Sequence, residues 1–334
     1  MFMEQLDGTV LATALPSMAH ELGVTAPSLS IALTSYLISL AIFIPASGRI
    51  ADRFGARTVF RGAIVVFILG SILCGLAPSV PFLVAARFFQ GVGGALMLPV
   101  GRLVLMRSVE KRDLIQATSW VLVPAVVGPI MGPPLGGFIV TYLNWRWIFY
   151  INVPIGILGV ILVSRFIANT REECPQGFDL RGMALSALSL GMLLFGLELV
   201  SDHRTVHTAL LLLGMGALAG FGYIVHARRT ADAILDISLM NIPTYGTSVI
   251  AGAITRITQG AQPFLLPLMM QLGFGYSAAQ SGMMTFATAL GSISAKPLAP
   301  PILRRFGFRD TLMVNGFFAS AGYAICGLFR PTWP

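Results

Sequence analysis

Apolar residues come in long blocks separated by short polar connections. The blocks run over 31–48, 60–77, 82–104, 114–140, 147–166, 183–201, 207–226, 245–271, 278–297 and 311–329. Each holds about 18 to 27 residues, against the roughly 20 that an α-helix needs to cross a ~30 Å hydrocarbon core. The pattern therefore predicts ten membrane-spanning helices. Residues 1–18 resemble one more, but only Gly8 to Met18 is free of charge, which is too short to cross alone.

Composition agrees with this class. Charged residues make up 11% of the chain, hydrophobic residues 55%, and the mean hydropathy is +0.80. A soluble domain carries roughly 25% charged residues, so this chain could not cover a water-facing surface of its own size. The net charge of +8 raises the question of a nucleic-acid partner. Its placement answers that question. The even-numbered connections collect Arg49, Arg53, Arg57 and Arg61, then Arg102, Arg107, Lys111 and Arg112, and later Arg165, Arg171, Arg181, Arg228, Arg229, Lys296, Arg304, Arg305 and Arg309. The odd-numbered connections hold only Arg146, Arg204 and Arg330. This is the positive-inside bias, which puts the even connections in the cytoplasm and gives no support to nucleic-acid binding.

The chain repeats itself. Arg53-Phe54-Gly55-Ala56-Arg57 recurs as Arg305-Phe306-Gly307-Phe308-Arg309, and Ala14-Leu15-Pro16 is answered by Leu265-Leu266-Pro267 at nearly the same offset of about 250 residues. Matched landmarks at one offset predict duplicated halves, a plan in which the substrate site lies between the repeats. The expected division is an N-terminal half over 1–168, a central linker with two unpaired spans over 169–243, and the first three spans of a C-terminal half over 244–334. On this count the fold is all-α and polytopic, with a shortened first helix and three further helices expected beyond the last.

A charge at the bilayer centre costs at least ~2.5–3.5 kcal/mol, so ionisable residues inside spans are the strongest local signal. Asp7, Arg87, Glu198 and Arg256 stand out. Asp7 lies one helical turn from Leu11 and two from Ala14, which suits a cavity-facing carboxylate able to take part in a proton-linked step. Arg87 shares a helix face with Gln90, Gly91 and Gly94, and can reach a partner across a seam of small residues. Arg256 shares its face with Gln259, Gly260 and Pro263. Glu198 sits near the end of its span, where an acid can also reach the headgroups. In the connection after the second block, Asp52 lies among Arg49, Arg53, Arg57 and Arg61. Charge-assisted bonds there can latch neighbouring helix ends. Gly128, Gly132 and Gly136, spaced i, i+4 and i+8, make a smooth helix face that admits a close neighbour, while Pro129, Pro133 and Pro134 bend the backbone.

These segments also carry a resemblance. Gly48-Arg49-Ile50-Ala51-Asp52-Arg53-Phe54-Gly55-Ala56-Arg57 resembles the signature loop of the major facilitator superfamily. Arg87-Phe88-Phe89-Gln90-Gly91-Val92-Gly93-Gly94-Ala95 is similar to its second motif, and the run from Gly128 to Gly137 to the motif of its antiporters. Leu6 to Pro16, together with Trp145-Arg146-Trp147-Ile148-Phe149-Tyr150-Ile151-Asn152-Val153-Pro154, resembles the fourteen-helix drug:proton antiporter branch, with which the two unpaired central spans agree. The resemblance implies a monomeric proton-coupled antiporter in the bacterial inner membrane, exporting hydrophobic or amphipathic small molecules by rocking two halves about a cavity. It implies gating by Gly48, Asp52, Arg53, Gly55 and Arg57. Proton coupling would fall to Asp7, Arg87, Gln90, Arg256 and Glu198, and a hinge and seal to Gly128, Pro129, Gly132, Pro133, Gly136 and Gly137. A metabolite exporter of the same fold, or a non-transporting fragment, are the alternatives.

Enzyme readings find less support. No Gly-x-x-x-x-Gly-Lys-Ser/Thr phosphate loop occurs, and His20, His203, His207 and His226 flank the spans instead of clustering. Cys74, Cys174 and Cys326 lack metal or redox spacing, so neither a cofactor nor a metal is expected. The orientation is directly testable. Thr58→Cys and Thr311→Cys, in a background without native cysteine, should both resist a membrane-impermeant thiol reagent in intact cells. Labelling of either from outside would contradict the cytoplasmic placement of these connections.

Overall fold

The computed structural model of the chain describes residues 2–25, 27–110, 113–169, 177–200, 205–230 and 232–326. Lys111, Arg112, Arg171, Cys174, His203, Arg204 and Arg330 lie outside them, as do the side chains of Pro129, Gln259, Pro263, Lys296, Arg304 and Cys326. The described chain is helical almost throughout. Its helices are α1 (Phe2–Leu22), α2 (Ser30–Phe54), α3 (Ala56–Gly75), α4 (Val80–Ser108), α5 (Leu114–Tyr142) and α6 (Trp147–Tyr150). They continue with α7 (Asn152–Phe166), α8 (Leu180–Leu199), α9 (Val206–Arg229), α10 (Pro243–Leu268) and α11 (Ala278–Cys326). Among the described residues α2, α3, α4, α6 with α7, α8 and α9 are long and apolar enough to cross a membrane. The chain is a multi-pass membrane protein.

Two glycines punctuate this order. Gly55 closes α2 and opens α3 with φ 91°, and Gly307 interrupts α11 with φ 78°. Both occupy the third position of the repeated Arg-Phe-Gly-x-Arg sequence. A side chain at either position would be forced into the left-handed region, where only glycine sits without strain. The blocks at 278–297 and 311–329 thus lie on either side of a break and not on one straight rod. The uncharged stretch from Gly8 to Met18 is part of a 21-residue helix, roughly 31 Å at 1.5 Å per residue. This helix includes Asp7, which is buried.

α4 is the central element of the N-terminal part. It packs against α2 on one side and α3 on the other, and α7 covers the far face of α3. α1 lies along α5, which also contacts α11, while α8 and α9 form a hairpin docked on α2. Leu6, Leu11, Leu15, Met18, Leu83, Trp145 and Phe149 form the largest apolar cluster, and Tyr36, Ile64, Phe67, Met97 and Val163 a second. Apolar side chains also cover the outside, among them Leu69, Ile157, Ile161, Leu211, Leu218 and Phe221. In water these would be a liability; in a bilayer they face acyl chains.

Helix ends are tied by polar contacts. The carboxylate of Asp179, just before α8, accepts from the Gly182 amide at 2.8 Å and lies 2.8 Å from His226 Nε2 near the end of α9. Burial alone would raise the pKa of Asp179. The Gly182 amide and His226 outweigh it and hold the carboxyl below its ordinary value. At the opposite end of the bundle Glu21 accepts from Trp145 Nε1 at 2.6 Å and from Arg146, whose guanidinium stacks over the Trp145 ring at 4.4 Å. The Trp-Arg dipeptide between α5 and α6 therefore pins the end of α1.

Candidate functional site

Four helices bring polar side chains to one point inside the bundle. α1 contributes Asp7, α3 Ser71, α4 Arg87 and Gln90, and the first residue of α7 is Asn152. Arg87 and Gln90 fall on one face of α4 because they are three residues apart. Arg87, Gln90, Ser71 and Asn152 are 0% exposed and Asp7 4%. Asp7 Oδ2 accepts from Arg87 Nη1 at 2.6 Å. Its other oxygen accepts from Gln90 Nε2 at 3.1 Å and from Asn152 Nδ2 at 3.0 Å. Gln90 Oε1 accepts from the same Arg87 nitrogen at 2.6 Å. Ser71 Oγ accepts from Asn152 at 3.0 Å and from Gln90 at 3.3 Å, and donates to the Phe149 carbonyl at 2.9 Å.

Burying two charges costs several kcal/mol per ion, and only good geometry with additional hydrogen bonds repays it. The network supplies both. The Arg87 guanidinium also lies 4.5 Å from the centre of the Tyr36 ring and 6.0 Å from that of Phe149, within cation–π range. Satisfaction is incomplete, however. Arg87 Nε and Nη2, Asn152 Oδ1, Tyr36 Oη and Ser39 Oγ are buried without a hydrogen-bond partner among the described residues.

The remaining predicted residues are distributed elsewhere. Glu198 of α8 accepts from Thr34 Oγ1 at 2.7 Å and from Ser30 Oγ, both on α2, so it ties the central hairpin to the N-terminal part. Arg256 is exposed on α10 and does not join the network. In the connection at 48–57, Asp52 pairs with Arg107 at the end of α4, 2.9 Å away, and not with the arginines of its own loop. Arg49 donates to the carbonyls of Gly177 at 2.5 Å and Ala233 at 2.9 Å, on the two sides of the central hairpin. Arg57 donates to the Ser164 carbonyl of α7, whereas Arg53 and Gly48 are exposed. The loop thus gathers the ends of α2, α4, α7 and the linker.

On α5 the spaced glycines face α1. A methyl group at Gly128 would meet Gln5 and the Phe2 carbonyl. At Gly132 it would meet Thr9, and at Gly136 Thr13 and Val10. Thr9 and Thr13 turn their hydroxyls onto carbonyls of their own helix, which keeps this seam free of unpaired donors. Gly137 points the other way, against Ala278 and Ala279 of α11, and Gly282 of α11 lies on the Pro133 carbonyl. α5 is therefore held between the helix that carries Asp7 and α11.

Asn152 and Ser71 were not among the residues singled out by sequence. Asn152 had a signal, as a lone amide in an apolar block inside the Trp145–Pro154 segment. Ser71 had none, since a single serine in a membrane helix is common and satisfies itself on its own backbone.

Comparison with known proteins places these features. The Major Facilitator Superfamily model matches residues 1–334. A protein of Serratia proteamaculans, provisionally named a multidrug resistance protein, MdtD, is 39% identical over 318 residues, covering 93% of this chain and 65% of that protein. Its namesake in Salmonella heidelberg is 38% identical over 317 residues, covering 94% and 67% respectively. The chain thus spans about two thirds of the length of these relatives. The crystal structure of an auto-inhibited POT family peptide transporter superposes with a TM-score of 0.56 at 17% identity, over 92% of this chain and 68% of that one, a likeness of fold.

The buried pair has a direct energetic signature. Asp7→Ala should lower unfolding stability in detergent by about 3–5 kcal/mol, because Arg87 is left buried and unpaired. Adding Arg87→Leu should recover most of that loss. A single Asp7→Ala variant as stable as the parent would contradict the pairing.

Proposed function

The chain belongs to the Major Facilitator Superfamily, and from that premise we propose that it works as a secondary transporter, exchanging protons for hydrophobic or amphipathic compounds that it expels from the cytoplasm. The observation that carries this reading is the carboxylate of Asp7, buried in a cage of donors from α4 and α7. The provisional naming of the MdtD relatives for multidrug resistance supports the substrate class, and their bacterial sources the inner membrane.

Asp7 works as the proton carrier in this account. Ionised, it is held by Arg87, Gln90 and Asn152, and α1 is drawn onto α4 and α7. Once protonated, it no longer balances the Arg87 charge, and the attraction that seats α1 is lost. A proton crossing roughly 100–200 mV releases about 2–5 kcal/mol, the scale of breaking one buried ion pair. The glycine face of α5 gives α1 a surface to move along, and the opposite contact of α5 with α11 carries that movement towards the repeat beginning near residue 244. The loop at 48–57 latches the cytoplasmic ends through Asp52 with Arg107 and Arg57 with Ser164. The substrate gains access to a cavity between the two repeated halves, with the hairpin of α8 and α9 as an insert between them.

The test is transport by the protein expressed at its full native length in a host lacking related pumps. Wild type should expel ethidium in a manner abolished by a protonophore. Asp7→Asn, close in shape but unable to cycle a proton, should lose at least about tenfold in that rate at equal expression. Undiminished proton-driven efflux by Asp7→Asn would overturn the assignment.

A further inference from the structure

Every partner of Asp7 in the described shell is a donor. Arg87 Nη1 occupies one carboxylate oxygen, and Gln90 Nε2 and Asn152 Nδ2 the other. That shell suits the anion. A protonated carboxyl carries an O–H that needs an acceptor, and a buried donor without one costs about 1–3 kcal/mol. An acceptor must therefore come from the side chains already present.

Gln90 cannot provide it cheaply. Its Oε1 already accepts from Arg87 Nη1 at 2.6 Å and lies 3.6 Å from the Cys74 thiol, so turning the amide would set its NH2 against the guanidinium. Ser71 is committed as a donor to the Phe149 carbonyl and as an acceptor to two amides. Asn152 differs. Its Nδ2 makes both of its hydrogen bonds, to Asp7 and Ser71, while its Oδ1 is buried without any donor. Rotation by about 180° about the last side-chain bond exchanges the two ends of an amide of nearly equal size. It would bring Oδ1 to the Asp7 oxygen and give up no bond that Oδ1 now makes. The turn gives up the bond from Asn152 Nδ2 to Ser71, which keeps its donor bond to the Phe149 carbonyl and its bond from Gln90.

We propose that Asn152 is the positioning residue of the proton site, an amide that donates to ionised Asp7 and turns over to accept from protonated Asp7. This rests on the assignment of Asp7 as proton carrier and adds how both of its states are kept satisfied away from water. Such a residue keeps the carboxyl itself hydrogen-bonded to Asn152 in either state. Its removal should therefore change the pH at which transport works more than it changes substrate affinity.

Among the described residues, few other groups that titrate lie near Asp7. Glu4 lies one turn away on α1, Tyr36 on α2, Cys74 on α3 and Arg87 on α4. α5 carries only Tyr142 near its far end. α6 has Tyr150 and α7 Arg165 in its last turn. On α10 Arg256 is exposed, and Tyr245 lies close to the helix start. Among the described side chains, α11 carries Arg305, Arg309, Asp310 and Tyr323.

The experiment measures proton-driven ethidium efflux against pH in everted vesicles, with the full-length protein in a Glu4→Gln background. Asn152→Leu should move the pH of half-maximal efflux up by about one unit or more, since the anion loses a donor. The KM for ethidium should stay within about twofold. Asn152→Ser, which can still donate or accept, should restore at least about half of the shift. If Asn152→Leu does not insert, acid-induced infrared difference spectra of protein with 13C-labelled asparagine carboxamides replace it. A labelled carbonyl band should respond to acid in the parent and be lost in Asn152→Ser and in Asp7→Asn. An unmoved pH profile in both Asn152 variants, or a labelled band that ignores acid, with Asp7→Asn still inactive, would overturn the role of Asn152 alone. Normal pH-dependent efflux by Asp7→Asn would instead remove the proton-carrier assignment beneath it.

Discussion

A carboxylate and a guanidinium inside a bundle of apolar helices are tolerable only together. The 2.6 Å contact between Asp7 and Arg87 sets where α1 sits, because α2 and α3 lie between the two residues along the chain and neither has another counter-charge in contact among the described residues. With this pair in place, Gln90 and Asn152 follow as further donors to the carboxylate, and Ser71 as the acceptor that holds both amides. Tyr36 and Phe149 follow as ring faces for the guanidinium. A helix so fastened needs a close neighbour on its other side, and the glycine face of α5 provides one. The second attachment of α1, from Glu21 to Trp145 and Arg146, lies at the opposite end of the same helix.

The same constraint separates the parts that hold from the parts that can yield. Packing between α4 and its neighbours α2 and α3 is apolar and close, with Gly93 against the backbone of Ala63 and Phe67 and Gly91 against Ser39 and the Tyr36 carbonyl. Such contacts do not depend on protonation. In the proposed function the seat of α1 does, since its strongest tether is the Asp7–Arg87 ion pair. At the ends of α2 and α4 the Asp52–Arg107 pair is about 28% exposed on each side, so it contributes about 0–1 kcal/mol and can open readily. On the proposed function, the Asp7–Arg87 pair is a strong tether that one proton weakens and the Asp52–Arg107 pair a latch that opens cheaply.

Much of this was legible in the chain. The apolar blocks announced the helices because crossing lengths are fixed by bilayer thickness. The repeated Arg-Phe-Gly-x-Arg announced the duplicated halves, and the structure adds that its glycine breaks a helix at positive φ in both copies, Gly55 and Gly307. Asp7 and Arg87 were visible because charge is rare in such blocks. Their being partners was not, since spacing along a chain does not say which helices meet. Arg256 gave the same kind of signal as Arg87, yet it lies on an exposed face of α10. Asp52 was read against the arginines of its own loop, whereas its partner comes from α4, over fifty residues on. Asn152 and Ser71 were hardest to see, since a neutral polar residue in a span becomes informative only when what it faces is known.

The proposal that Asp7 carries the exchanged proton, with substrate favouring its ionised state, has a direct measurement. Ethidium is added to the purified full-length protein in weakly buffered detergent solution, at a pH where efflux is half-maximal, and the released protons are followed with an indicator dye. Linkage requires that a ligand favouring the ionised state of Asp7 displace its proton, so wild type should release up to about one proton per bound ethidium, and Asp7→Asn none. Equal proton release from Asp7→Asn, with ethidium still bound, would contradict the account.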